Sequence, residues 1–316
     1  MEIMKKFMKY CFVLALILII AGSVLYLLGR GKSGRENMDA LLTEFGGDWI
    51  NLDSEYFESM VERAGFTEVY DIGDSSVFDD AHAVWSDYVD KQMIGNGAID
   101  EIQLGIGGSM VEIKDSDDGN IYIEGENIGK MQAYVEGEVL IVNSVRPANL
   151  MDEIKSSKIV LYLPEDITPH FVQVSLGAGQ LKMKDMTVQN LLADVGAGQL
   201  LLKDMDIETL EVSLGAGELR AEDMKVQNLS ASASMGNLEY SGDIGAAADI
   251  SCSMGNVSLD LKGDREDFNY ELHCVGGNLD IDGDKYAGVD ISKSIDNGTD
   301  KSIEINCSMG NVEVDF

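Results

Sequence analysis

Acidic side chains are the first place to look for chemistry in this chain. Asp115, Asp117 and Asp118 crowd one short segment, and Asp280, Asp282 and Asp284 alternate around Gly283. Asp185, Asp204 and Asp223 recur at a constant interval of 19 residues, inside Lys184-Asp-Met, Lys203-Asp-Met and Glu222-Asp-Met. A hard cation such as Ca2+ takes several oxygen ligands, and a stacked row of carboxylates could supply them. Asp115, Asp117, Asp118, Asp185, Asp204 and Asp223 are therefore the metal candidates. The plainer reading is that Asp belongs in turns, where it accepts bonds from nearby backbone N–H groups. Neither a complete twelve-residue calcium loop nor a nine-residue Gly-rich calcium repeat is present.

Other reactive types point less clearly. Cys252, Cys274 and Cys307 occupy equivalent positions of a repeat where earlier copies carry Leu176, Val195, Leu214 and Ala233. They read as small buried hydrophobes, or as a disulfide between neighbouring strands, with Cys252–Cys274 the first pair to consider. Cys11 begins an apolar run. His82, His170 and His273 are far apart and none lies in a recognisable catalytic motif. No Ser-His-Asp, zinc or nucleotide signature is legible, so no catalytic residue and no cofactor are expected. A carbohydrate-cleaving carboxylate pair is the enzyme alternative, but the acidic residues are too dispersed to single out two.

What must position these residues is a repeat. Gly179, Gly198, Gly217, Gly236 and Gly255 follow one another at 19 residues, with looser echoes at Gly277 and Gly310. Three of the copies read Gly-Ala-Gly and three read Met-Gly-Asn, at Met235, Met254 and Met309. Two residues after each glycine stand Leu181, Leu200, Leu219, Leu238, Val257, Leu279 and Val312. Four after it stand Met183, Leu202, Ala221, Tyr240, Leu259, Ile281 and Val314, while the intervening column is mostly polar. Alternation of this kind is the period of a strand. Each copy reads as strand, Gly turn, strand, second turn. A repeat this short cannot close its own core, which predicts a parallel β-solenoid with coils of about 19 residues. An antiparallel sandwich is the competing arrangement. The glycines themselves need either φ > 0 or close backbone approach. A phosphate cradle would need a helix after Gly-Ala-Gly, and a strand-like segment follows instead. Gln180, Gln199, Glu218, Asn237, Asn256, Asn278 and Asn311 come next to the glycines and are expected to form a hydrogen-bonded amide ladder, a row of ligand contacts being the alternative.

Upstream, Lys5, Lys6 and Lys9 precede an uncharged apolar run from Cys11 to Leu28, and Arg30, Lys32 and Arg35 follow it. Its length suits a membrane anchor over residues 11–29, with a cytoplasmic tail at 1–10; a cleaved signal peptide is the rival. A short tail normally stays inside, so the remainder is expected outside the cytoplasm, with the membrane as a partner through this helix. The chain carries a formal net charge of −33. The basic residues flanking the apolar run contribute to it, so the rest is more acidic still. Such a surface repels nucleic acid and anionic headgroups. Residues 30–97 read as an acidic linker or cap, with helical spacing at Tyr56–Ala64 and a further short helix around Trp85, Tyr88 and Val89. Residues 98–316 form the repeat domain. Its last strand, Val312–Phe316, shows no cap and is expected to leave an open edge able to self-associate.

Leu161-Tyr-Leu-Pro164, followed by Val172-Gln-Val-Ser-Leu-Gly-Ala-Gly179-Gln-Leu181 and further Gly-Asn-rich strand repeats, resembles a bacterial β-strand-repeat family of unknown function labelled "putative adhesin". The resemblance implies a β-solenoid and an envelope location, and it transfers no active-site residue. The resulting expectation is a membrane-anchored, non-catalytic surface module for adhesion or envelope stress with an unidentified envelope partner. A polysaccharide-active enzyme and a calcium-responsive surface protein are the alternatives.

Overall fold

Aliphatic residues alternate with polar ones along most of the chain, and strands follow from that pattern. A computed structural model describes residues 83–145 and 157–316, with backbone alone for residues 83–87. The expected tail, anchor and Tyr56–Ala64 helix, together with Cys11 and His82, lie outside the described residues. Among the described residues no helix is long and apolar enough to cross a membrane.

The first strands are β1 (Ala83–Asn96), β2 (Glu101–Ile106), β3 (Met110–Ser116), β4 (Asn120–Glu136) and β5 (Val139–Val145). Next come β6 (Lys158–Pro164), β7 (Phe171–Leu176), β8 (Gln180–Lys184), β9 (Thr187–Val195), β10 (Gln199–Lys203), β11 (Asp206–Leu214) and β12 (Glu218–Ala233). The C-terminal part holds β13 (Asn237–Leu261), β14 (Phe268–Val275), β15 (Asn278–Ile281), β16 (Asp284–Ala287), β17 (Asp290–Ile295) and β18 (Lys301–Asp315).

Successive repeats pair in parallel at the glycine interval. Leu200 of β10 lies opposite Leu181 of β8 and Leu219 of β12. On a second ladder, Val212 of β11 lies opposite Ala193 of β9 and Ala231 of β12. The long strands β4 and β12 each take part in more than one ladder, and this changes the architecture. The pairs β2–β5–β4–β6–β3–β8–β10–β12–β11–β9–β7 return to β2, so the sheet closes into an 11-strand β-barrel. The expected parallel β-solenoid is corrected accordingly. Five antiparallel pairings, β1–β4, β4–β5, β4–β6, β14–β17 and β15–β16, are also foreign to a purely parallel stack. A repeat interval dictates which residues sit side by side. It says nothing about strands that bend from one ladder to the next and complete a circuit.

The short helix expected around Trp85, Tyr88 and Val89 is also corrected. These residues lie in β1, antiparallel to β4, with Tyr88 opposite Glu126 and Val89 opposite Gly125. Lys91 explains part of that docking: its ammonium lies 4.8 Å from the Tyr122 ring and 3.8 Å from the Tyr162 ring, a cation over two quadrupoles.

The interior is one continuous apolar cluster. Leu181, Leu200, Leu219, Leu238, Val257, Leu279 and Val312 are all buried, as are Met183, Leu202, Tyr240, Leu259, Ile281 and Val314. Each large aliphatic so placed contributes about 1.5–3 kcal/mol of transfer free energy.

The chain's end does not follow sequence order. β18 lies between β13 and β14, with Asp249 and Glu271 on either side of Glu304. The C-terminal strand is therefore paired on both sides, and the open edge expected at Val312–Phe316 is corrected. The hairpin partners β16 and β17 cover this end instead. Phe316 packs with its ring centroid 5.5 Å from both Phe268 and Tyr270.

Close approach, not positive φ, explains the glycine column. A Cβ on Gly198 would meet the Gly179 carbonyl oxygen at 2.5 Å, and one on Gly217 would meet that of Gly198 at 2.6 Å. Gly255, Gly310 and Gly277 would collide still more closely, in the spatial order Gly236, Gly255, Gly310, Gly277. Backbone is stacked directly on backbone at this corner.

Candidate functional site

The recurrent Asp residues are built into turns. Asp185, Asp204 and Asp223 have φ of 55°, 51° and 55°. Asp, with a short polar side chain, is among the few residues that tolerate this left-handed region. Their backbone N–H groups donate to Lys203 C=O at 3.1 Å, Glu222 C=O at 3.0 Å and Ser241 Oγ at 3.2 Å, respectively. The Met that follows each, at 186, 205 and 224, is buried. Each triplet is thus a left-handed corner followed by a core anchor.

Asp115, Asp117 and Asp118 are exposed. Asp118 accepts from the Asn120 backbone N–H at 3.1 Å and from the Tyr122 hydroxyl, and the Tyr122 bond leads in holding its carboxyl below the usual range. Asp280 pairs with Lys285 at 3.2 Å and Asp284 with Arg265 at 3.1 Å, while Asp282 Oδ1 accepts from the Phe316 N–H. Among the described residues no three His, Cys, Asp or Glu side chains converge on a point that could hold a metal ion.

Cys252, Cys307 and Cys274 form one buried row of free thiols. Their order follows the strands: Cys307 lies opposite Cys252 on one side and Cys274 on the other. The Cys252–Cys274 disulfide weighed from the sequence is therefore replaced by two contacts through Cys307. Hydrogen bonding with Cys307 draws the Cys252 thiol down and pushes Cys307 up, while burial pushes Cys274 up.

The histidines stay apart. His170 Nδ1 contacts Asp100 at the surface. His273 Nδ1 lies 2.8 Å from Ser292 Oγ, with Nε2 3.8 Å from Asp290.

The amides beside the glycines form ladders. Gln180 donates to Gln199 at 2.7 Å and Gln199 to Glu218 at 2.8 Å. A second run goes from Asn278 to Asn311 at 2.8 Å, on to Asn256 at 2.9 Å, and on to Asn237 at 3.2 Å. These bonds use the side chains along the stack and clamp the rungs at the glycine corner.

An open groove of roughly 630 Å³ lies along the stacked strands. Thr168, Pro169, His170, Thr187, Val188, Gln189, Asp206, Glu208, Gln227 and Asn228 line it. Gln189, Glu208 and Gln227 are one column, 19 residues apart, and Gln189 donates to Glu208 at 3.2 Å. The wall is thus a regular row of donors and acceptors with an apolar floor at Val188, which is 2 % exposed. Sequence reading passed over this row. Its signal was available: each member stands ten residues after a repeat glycine.

The family model described as Toastrack DUF4097 matches residues 99–315. The chain belongs to the Toastrack DUF4097 family. This agrees with the resemblance carried by Leu161–Pro164 and the glycine repeats. Membership in Toastrack DUF4097, a family of unknown function, assigns no chemistry to the groove. No curated protein matches the chain. Similar solved structures include a putative adhesin from Bacteroides fragilis, 13 % identical, covering 71 % of this chain and 95 % of its own with a TM-score of 0.41. A putative adhesin from Parabacteroides distasonis is 14 % identical, covers 71 % and 96 %, and has a TM-score of 0.40. A putative lipid binding protein from the same organism is 14 % identical, covers 74 % and 98 %, and has a TM-score of 0.38. Likeness at this level says nothing of function.

Proposed function

We propose that the chain is a non-catalytic surface module that binds an extended polar chain, most simply a glycan, along the groove. The supporting observation is the column Gln189, Glu208 and Gln227, which repeats hydrogen-bonding groups at the strand spacing over a wall stiffened by parallel pairing. A polymer with hydroxyls at regular intervals can engage several such groups at once. A single small ligand gains little from so open a trough. The apolar run at residues 11–28 supports reading the module as anchored at the cell envelope with the repeat domain outside, in an adhesive or stress-related role. Protease treatment of intact cells should remove the repeat domain; protection of that domain reverses the orientation.

The binding test is a panel of soluble cell-wall and host polysaccharides titrated against the protein and against Gln189→Ala/Gln227→Ala. At about 0.5–1.5 kcal/mol per lost hydrogen bond, the double variant should bind about tenfold more weakly. Undiminished binding rejects the groove. Asp206 and Glu208 both face the trough, so chain cleavage that disappears in Glu208→Gln would make the protein an enzyme instead.

A further inference from the structure

The residue just before each repeat glycine lies at the outer side of the corner. It is Ala178, Ala197 and Ala216 in the first copies, then changes to Met235, Met254 and Met309. All three methionines are exposed, by 60 %, 44 % and 56 %. They are also neighbours. Met254 and Met309 face each other across β13 and β18. Met235 is one rung back, where the Met254 N–H donates to the Ser234 carbonyl at 2.8 Å.

We propose that Met235, Met254 and Met309 form a thioether site for a soft monovalent cation, Cu(I) in particular. Thioether sulfur is a soft ligand that selects Cu(I) over the hard ions that carboxylates prefer. Adjacent rungs are about 4.8 Å apart, so the outer two methionines start roughly 10 Å apart. An unbranched side chain with three rotatable bonds can close that gap toward the central Met254. The backbone beneath cannot drift. The Asn237–Asn256–Asn311 amide ladder and the glycine contacts hold the three rungs in register, which gives a supported row and not three independent side chains. The negative charge of the chain favours any cation at this surface. A purely apolar role would be served as well by Leu, Ile or Val, yet all three positions carry sulfur. The buried thiols of Cys252, Cys307 and Cys274 lie on the inner side of the same corner and are a separate group.

The test uses the full-length protein under anaerobic conditions, with Cu(I) supplied from a chromophoric competing chelator and Ag(I) as a redox-inert second probe. The protein should remove one Cu(I) per chain from the chelator. Met235→Leu/Met254→Leu/Met309→Leu should lose that uptake at least tenfold, while Cys252→Ala/Cys274→Ala/Cys307→Ala retains it. With 13C-methyl-labelled methionine, Ag(I) should shift three of the 16 methionine methyl signals, those that vanish in the Leu variant. Uptake that survives in the Leu variant assigns the metal elsewhere and overturns the proposal. So does a failure of the unaltered protein to bind either ion.

Discussion

A single methyl group decides whether two rungs can meet. Gly217 sits where an added Cβ would lie 2.6 Å from the Gly198 carbonyl oxygen and 2.7 Å from Val195 Cγ1. One contact is backbone and the other is a buried β-branched side chain, so neither yields easily. Gly217→Ala should cost about 1–3 kcal/mol, as overpacking in a filled interior does. Gly108→Ala is the control, since nothing lies within 4 Å of a Cβ there. Urea unfolding midpoints of the two variants should separate clearly; equal midpoints would mean the glycine corner is looser than described. Much at this scale was legible in the sequence. The columns at Leu181, Leu200 and Leu219 and the amides at Gln180 and Gln199 fall where their spacing placed them. The turn aspartates were legible as turn residues, whereas their left-handed φ was not, because it leaves no mark on composition.

At the level of strands, the insertion of β18 creates a feature that no linear reading shows. Asp249, Glu304 and Glu271 become neighbours on three successive strands, a stack of like charges that parallel pairing normally penalises. Burial first, and Glu304 second, raises the Asp249 carboxyl above its usual value. A raised acid holds its proton more firmly when folded, so stability falls as pH climbs from the unfolded Asp value through the folded one. Glu304→Gln should therefore stabilise the protein near neutral pH, by a few tenths of a kcal/mol given the exposure of these side chains. The gain should shrink as the pH falls and Asp249, whose carboxyl holds its proton more firmly in the folded protein, becomes neutral. Thermal melts of both proteins across that range will show whether the difference closes with acid; a pH-independent difference would place its origin outside the acidic stack. The insertion was hidden because Gly277 precedes Gly310 in sequence, whereas Gly310 stacks on Gly255. The hairpin strands β16 and β17 intervene between the two and disturb the interval. Trp85, Tyr88 and Val89 carry an i, i+3, i+4 spacing that suits a helix, but antiparallel pairing with β4 makes this segment a strand.

At the largest scale, the described strands take their register from a short repeat, and the barrel takes its closure from strands that bend between ladders. Closure leaves the groove, the amide ladders and the methionine row on the outside of a stiff apolar interior, which suits a protein that presents surface. The stacking order at its C-terminal end carries the account. Spin labels at Asp194 and Glu304, and separately at Asp194 and Glu271, test that order by double electron–electron resonance. With β18 between β13 and β14, the label at Glu271 must be the more distant of the two, by about one strand spacing of ~5 Å. A label at Glu271 that lies nearer to Asp194 than the one at Glu304 would contradict it.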